Sequence, residues 1–271
     1  MRIVALSATL PNIQDVGLWL GCSENAIHYF DDRYRPVPLR VLCFGYENKG
    51  NQFLFEKGLD RYLKDLILKY DGGRQTIVFC ASKKGTQSCA QYLKTNLAMN
   101  SRGINSNDQV IAYSCNQLQD QELAKLLPFG LAYHHAGLPP DDRMIIEQLF
   151  VQGKIRVLCA TSTLSQGMNL PAHLVIVKGT VAWRGTSKGY IKLRKSDVIQ
   201  MLGRAGRPGF DEEGVAIIMT SVAEQQYYSS IALHADVVNS NLQLIFHEGM
   251  YVDSIHNYFR CLHDSFVYVR I

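Results

Sequence analysis

Six short, largely apolar runs constrain the fold of this chain more than any other feature. They lie at Leu39–Phe44, Thr76–Ala81, Leu131–Tyr133, Ile155–Ala160, Leu174–Val177 and Val215–Met219. A strand wet on one face alternates apolar and polar residues, whereas a strand covered on both faces reads as a continuous run. Segments of helical periodicity separate or follow them: Phe53–Lys69, Gln87–Leu97, Pro139–Val151, Asp197–Ala205 and Val222–Leu233. Phe53–Lys69, for instance, sets Leu59, Leu63, Leu66 and Ile67 at helical spacing. Strand and helix repeated in this way predict an α/β domain, a parallel sheet with helices on both faces, over residues 39–233. In such sheets ligands bind outside the carboxyl ends of the strands, so the loops after Ala81, Tyr133, Ala160 and Val177 are the places to look for chemistry.

The remainder of the 271 residues is organised around that domain. Ile3–Leu6 reads as one more buried strand, followed by an amphipathic helix from Ile13 to Leu20. This unit is too small to own a core, so residues 1–30 look like the tail of another domain. DDRYRPVPLR, with two prolines and no helical period, marks a linker at 31–38. Residues 98–128 are polar and rich in Asn, Gln and Ser, which suggests an insertion with some helix near Gln117–Leu127. No 18-residue apolar run is present, so no membrane span is expected. MRIVALSATLPN is interrupted by Ser7 and Thr9 and is not read as a secretory leader. The seven cysteines are odd in number and form no C-x-x-C pair, which predicts buried, reduced thiols and an intracellular protein. A net charge of +4 suits an anionic partner without requiring one.

Two strand-end loops carry short hydroxyl side chains. Ser82-Lys83 follows the second run, and Thr161-Ser162-Thr163 follows the fourth. Hydroxyls and backbone N–H groups at a helix start suit phosphate oxygens, although either loop alone reads equally well as a helix cap. Two on one rim favour phosphate. The stretch QMLGRAGRPG at 200–209 carries a second cationic signature. Asp197 and Gln200 have capping-box-like spacing, so a helix is predicted to begin at Asp197 and to set Gln200, Arg204 and Arg207 on one face. An amide and two planar cations on one face suit a triphosphate better than a core, and Gly203 and Gly206 would let a backbone or ligand approach. The alternative is a solvated basic face with ordinary glycines.

These residues also carry a resemblance. QMLGRAGRPGFD resembles motif VI of the superfamily 2 helicases, in their Ski-like branch. SATLPN at 7–12 resembles motif III, VFCASKKG at 78–85 motif IV, YHHAGL at 133–138 the motif after it, and ATSTLSQGMNLPAH at 160–173 motif V. The order and spacing match over residues 1–233, and the wording is most like that of meiotic crossover DNA helicases. The resemblance implies two RecA-like domains closing on ATP and Mg, with nucleic acid across both. It makes 1–30 the end of the first RecA-like domain, 39–233 the second, and 234–271 a partial, degenerate start of a winged-helix domain. It implies that Arg207 is an arginine finger, Arg204 a second phosphate-region contact and Gln200 a group that positions the γ-phosphate or attacking water. It places Gly167 and Asn169 near the nucleotide, gives Ser82, Lys83, Thr161, Ser162 and Thr163 the strand's phosphates, and makes Ser7 and Thr9 couple hydrolysis to closure. The resemblance also implies DNA rather than RNA as partner, a nuclear location and a monomer.

No G-x-x-x-x-G-K-[ST] and no acidic D-E-x-H box occurs in these residues. The expectation is that they do not hydrolyse ATP alone, and that the first domain supplies the phosphate cradle and the magnesium carboxylate. A non-hydrolysing product that binds nucleic acid or a protein partner, or the same domain of an RNA helicase, are the alternatives. A small-molecule α/β enzyme ranks last, since no nucleophile–base pair or dinucleotide fingerprint is present. RGTSKGYIKLRK at 184–195, basic and without acid, reads as a solvated loop or a second nucleic-acid contact. The histidines form no metal site.

Overall fold

The computed structural model describes residues 4–7, 12–97, 108–167, 170–187 and 189–230. They fall into two compact units, one ending at Tyr29 and the other beginning at Phe30.

In the first unit, helix α1 spans Ile13–Trp19, and Gly17 packs against the side chain of Ile27. Val4 and Leu6 are exposed and take no strand, because no described strand pairs with them. The strand expected at Ile3–Leu6 is therefore not formed in the part of it that is described.

The second unit is built on a six-stranded sheet. Its strands are β1 (Leu39–Tyr46), β2 (Thr76–Cys80), β3 (Leu131–His134), β4 (Val157–Thr161), β5 (Leu174–Lys178) and β8 (Gly214–Ser221). The order across the sheet is β1-β8-β5-β2-β4-β3, and every pairing is parallel. All six predicted strands form, within a few residues of their expected bounds. β2, β3 and β5 are buried along their whole length, as their largely apolar sequences predict.

Helices pack against the sheet. α4 (Lys83–Leu97) lies against β2, β3 and β4, α9 (Lys195–Leu202) against β5, and α10 (Val222–Ser229) against β1 and β8. Leu93 and Cys89 of α4, Val198 of α9 and Tyr228 of α10 are fully buried beside strand residues such as Val78, Leu158, Ile176 and Ile217. α5 (Gln109–Gln117) and α6 (Gln121–Ala124) occupy part of the polar insertion, and α7 (Pro140–Val151) precedes β4.

The chain enters the sheet's middle at β2, passes outward to β3 and back to β4, then crosses β2 to reach β5. The strands on either side of β2 therefore connect in opposite directions, and the crevice at such a switch lies at the carboxyl ends. Cys80 is level with Thr161 on one side and Lys178 on the other, and His134 is level with Ala160. The loops after β2, β3 and β4 thus leave the sheet side by side.

Three elements differ from expectation. The helix predicted over Phe53–Lys69 is two, α2 (Gln52–Gly58) and α3 (Asp60–Tyr70), because Gly58 ends the first and Leu59 turns inward, 1% exposed. The helix predicted at Asp197–Ala205 runs instead from Lys195 to Leu202. Residues 184–195 belong partly to an antiparallel hairpin, β6 (Val181–Trp183) with β7 (Tyr190–Lys192), closed by an edge-on contact of Trp183 and Tyr190.

Three buried ionisable side chains sit beside the sheet. Lys178, 3% exposed at the end of β5, donates to Asp60 Oδ1 at 2.5 Å. Glu56 of α2 is 7% exposed and accepts from Gln52 Nε2 at 3.3 Å, while its second carboxylate oxygen has no hydrogen-bond partner. Burial pushes Glu56 up to about 7, against the pull of nearby Lys178.

Candidate functional site

The carboxyl rim of β2, β3 and β4 gathers the predicted phosphate-binding residues. Ser82 Oγ accepts from Gly85 N at 3.0 Å, so this hydroxyl caps the first turn of α4. Lys83 is exposed and stands over the loop after β3. A Cβ added to Gly137 would lie 3.0 Å from Lys83 Nζ and 3.3 Å from His135 Nδ1. A side chain at that position would have to push the lysine aside. His135 is buried, accepts from Gly137 N at 3.2 Å and stacks on Tyr133. Burial and then the Lys83 charge hold its imidazole below the usual histidine range, so it is neutral at pH 7.

After β4, Thr161 and Thr163 share a hydroxyl–hydroxyl bond of 2.9 Å, and Ser165 Oγ donates to the Ser162 carbonyl at 2.6 Å. Thr161 and Ser162 are half-buried and Thr163 is exposed. Ser82, Lys83, Thr161, Ser162 and Thr163 therefore lie on adjacent loops at one end of three neighbouring strands. The hairpin joins the same rim, since Trp183 N donates to the Ala81 carbonyl at 2.9 Å. Two of its basic side chains are matched internally: Lys192 with Glu224 at 2.5 Å and Arg194 with Asp197 at 2.9 Å.

The motif VI stretch has a different geometry from the one its spacing predicts. Arg194 enters α9 in an extended conformation, and the helix ends at Leu202 with Gly203 as its cap. Gln200 is on the helix and half-buried, but Arg204 and Arg207 lie beyond it, so the three do not share a helix face. The helix stops because the chain turns to pair with the segment before β5. Ala172 N donates to Arg204 O at 2.9 Å and Gly206 N to Ala172 O at 2.7 Å. Arg35, just before β1, donates from Nη2 to Ala205 O at 2.7 Å and from Nε to Val37 O at 2.9 Å.

Gly206 is required by this fold rather than by a ligand. Its φ is +88°, and a Cβ there would lie 2.7 Å from Val37 Cγ1. Gly203 has an ordinary helical φ of −59°.

Arg204 Nη2 donates to the carbonyl of Ser165, which ties the motif VI loop to the motif V loop. Burial lowers its guanidinium from the usual arginine range. Arg207 is held by Asp211. Its backbone N donates to Asp211 Oδ2 at 2.9 Å, Nε to the same oxygen at 3.0 Å and Nη2 to Oδ1 at 3.1 Å, while Nη1 donates to Gln75 Oε1 at 3.1 Å. Arg74 Nη1 also donates to Asp211 Oδ1, at 3.1 Å, and His173 Nδ1 lies 3.4 Å from it. The Asp211 side chain is fully buried. Burial opposes its charge, but Arg207 outweighs burial and holds the carboxyl below the usual carboxylate range. Burial, then Arg74, lowers His173, so that histidine is neutral at pH 7.

Arg74, Gln75 and His173 immediately precede β2 and β5, so Arg207 stands at the amino ends of the strands. The rim residues stand at the carboxyl ends. The segment from Ser162 to His173 runs between the two ends and accepts Arg204 on the way. Gly167 ends α8 (Thr163–Gly167) on that segment. Asn169 and Thr9 lie outside the described residues, and Ser7 is exposed in the first unit. Spacing alone missed Asp211, Gln75 and Arg35. An acid four residues after Arg207 is the signal that could have found Asp211.

Residues 102–209 match the helicase conserved C-terminal domain. The chain is 37% identical over 247 residues to the ATP-dependent DNA helicase homolog MER3 of Arabidopsis thaliana, covering 89% of this chain and 22% of that protein. It is 37% identical to the ATP-dependent DNA helicase MER3 of Saccharomyces cerevisiae, over 100% of this chain and 23% of that one. The human U5 small nuclear ribonucleoprotein 200 kDa helicase is 38% identical over 85% of this chain and 11% of its own length. The chain thus spans about a fifth of the MER3 relatives it matches. With a six-stranded parallel sheet of the RecA-like helicase type and these relatives, the chain belongs to the superfamily 2 helicases, in their Ski-like branch.

Proposed function

We propose that this chain serves as the second RecA-like lobe of an ATP-dependent helicase, with residues 39–233 as that lobe, 1–30 as the end of the first and 234–271 as the start of a winged helix. The lobe grips nucleic-acid phosphates at the carboxyl rim and presents arginines to ATP held by a first lobe. The observation that carries the reading is the gathering of Lys83 and Thr161–Thr163 on adjacent loops of one sheet edge. An exposed ammonium and hydroxyls in a row fit a phosphate backbone, and backbone contacts allow movement without sequence preference.

Arg204 and Arg207 contact the nucleotide's phosphates, with Arg207 as the finger, and Gln200 positions the γ-phosphate or water. Gly167 and Asn169 approach the nucleotide, and Ser7 and Thr9 couple its hydrolysis to closure. ATP supplies the free energy that drives lobe closure. The two guanidiniums fit its phosphates by charge and planarity. Magnesium, like ATP, is held mainly by the first lobe in this reading. The names of the MER3 relatives favour DNA ahead of RNA as substrate, and the resemblance to meiotic crossover helicases favours meiotic recombination and a nuclear location. The U5 relative is equally similar, so RNA is the second arm of the test.

The test joins a P-loop lobe of a Ski-like relative to this chain and measures nucleic-acid-stimulated ATP hydrolysis and strand displacement on matched DNA and RNA duplexes. Stimulated turnover is expected from the joined protein and none from the 271 residues alone. Arg207→Ala is expected to lower kcat by about 10³-fold or more. Unchanged turnover in that variant would overturn the arginine assignment.

A further inference from the structure

We infer that Asp211 is the positioning residue for Arg207, setting the guanidinium's orientation for phosphate while leaving its charge available; this rests on the phosphate role proposed for Arg207. Four observations carry it.

First, one carboxylate fixes both the backbone and the side chain of the arginine: Asp211 Oδ2 takes Arg207 N and Nε, and Oδ1 takes Nη2. A long side chain that would otherwise sample many rotamers is committed to one before any ligand arrives, which is what pre-organisation requires.

Second, the bonds do not exhaust the donors of the guanidinium. Of its five N–H groups, Asp211 takes two and Gln75 one, which leaves one on each terminal nitrogen. Those two remain as donors to an oxyanion.

Third, the carboxylate does not cancel the cation. Asp211 also accepts from Arg74 Nη1, so one negative charge is divided between two guanidiniums, with a neutral His173 beside them. The cluster keeps a net charge of about +1.

Fourth, Asp211 is buried and itself held. Its side chain is fully buried, and its backbone N donates to Arg207 O at 3.0 Å across the Pro208-Gly209-Phe210 turn. The support is therefore rigid.

The experiment uses the protein joined to a P-loop lobe for kinetics and the 271-residue chain for spectroscopy. Asp211→Asn should lower kcat by about 10- to 100-fold with the KM for ATP within about threefold. Asp211→Glu should recover part of that loss. Arg207→Ala combined with Asp211→Asn should be no slower than Arg207→Ala alone, because the two residues act as a unit. Nitrogen-15 spectra of the chain should show the Arg207 Nε–H protected from exchange in the native protein and unprotected in Asp211→Asn. An Arg207→Ala variant with undiminished turnover sinks the phosphate role. An Arg207→Ala variant that is slow, beside an Asp211→Asn variant that is not, sinks the positioning role alone. If Asp211→Asn does not fold, Gln75→Glu keeps an acceptor for Arg207 Nη1 and Gln75→Leu removes it, together with the Gln75 Nε2 bonds to the Phe150 and Ile155 carbonyls; Gln75→Leu should cost a smaller share of kcat than Arg207→Ala, and Gln75→Glu less still. An unprotected Arg207 Nε–H in the native chain overturns the inference without any variant.

Discussion

The ammonium of Lys83 and the backbone of Gly137 meet across the loops after β2 and β3, so closely that a Cβ on the glycine would lie 3.0 Å from Nζ. Lys83 is on the first turn of α4, and its exposure leaves the ammonium open to a phosphate. Replacing it with Ala should weaken binding of single-stranded nucleic acid across sequences. It should also reduce the slope of log affinity against log salt by about 0.7, the value of one phosphate contact on a single strand. Gly137→Val should displace the ammonium and produce part of the same loss. Fluorescence anisotropy between 50 and 200 mM salt, with about a dozen nucleotides of labelled strand, reads both. A slope unchanged in Lys83→Ala would remove this residue from the interface.

The rim was legible in the sequence because its residues are local. A hydroxyl or lysine directly after an apolar run must emerge at that strand's end, and parallel pairing then brings Ser82, Lys83 and Thr161–Thr163 together. The motif VI loop was not legible to the same degree. Helical spacing put Arg204 and Arg207 on one face with Gln200, but the helix ends at Leu202 because Ala172, 32 residues upstream of Arg204, pairs with the turn. Asp211 and Gln75 meet Arg207 from positions 4 and 132 residues away. Only the first of those separations is local, and it operates through a turn containing Pro208 and Gly209 rather than through a helix. The break between α2 and α3 was masked by the same logic, since Leu59 satisfies a helical period while facing the core.

The buried pair of Asp60 and Lys178 gives a stability prediction. Both side chains are almost wholly removed from water, 6% and 3% exposed, at a separation of 2.5 Å. Asp60→Ala takes the hydrogen-bonded partner from a buried ammonium at the end of β5 and should cost about 3–5 kcal/mol. The double replacement Asp60→Leu with Lys178→Met removes both charges at similar volume and should be far less harmful than the single change. Urea denaturation of the three proteins measures this. A double variant as unstable as Asp60→Ala would mean that packing, rather than charge, carries the effect.

Glu56 sets a pH dependence whose sign follows from its environment. Burial raises it from 4.5 to about 7, so the folded state binds its proton more tightly than the unfolded state. Its neutral form costs nothing at pH 4.5 and below, and the penalty for ionisation accumulates as pH rises from about 4.5 to about 7. Glu56→Gln cannot ionise. Relative to the native chain it should be close to neutral at pH 5 and gain stability on the order of 2 kcal/mol by pH 8. Comparing the two proteins at each pH cancels the opposite contributions of His134, His135 and His173, whose depressed values cost stability as pH falls below about 6.5. A difference that does not change between pH 5 and 8 would show that Glu56 titrates outside this window.

The two glycines of the motif VI turn should respond oppositely to the same substitution. Gly206 has a φ of +88°, and its Cβ would meet Val37 Cγ1 at 2.7 Å and Gly214 Cα at 3.4 Å. The backbone penalty for a left-handed alanine is about 1–2 kcal/mol, and overpacking adds about 1–3 kcal/mol. Gly206→Ala should therefore destabilise the chain by about 2–5 kcal/mol. It should also disturb the turn that carries Arg204 and Arg207. Gly203 is exposed, with a φ of −59°, and the nearest atoms to its Cβ are carbonyl oxygens of Ile199 and Gln200 at 3.3 and 3.4 Å, ordinary neighbours on its own helix. Gly203→Ala reduces the entropy of the unfolded chain and should stabilise by about 0.4–1 kcal/mol. If both glycines instead existed to admit a ligand, Gly203→Ala would leave stability unchanged or improved while lowering turnover in the joined protein. Measuring melting and ATP hydrolysis on the same Gly203→Ala preparation separates the two: retained turnover assigns the glycine to helix termination, and lost turnover assigns it to close approach by the nucleotide.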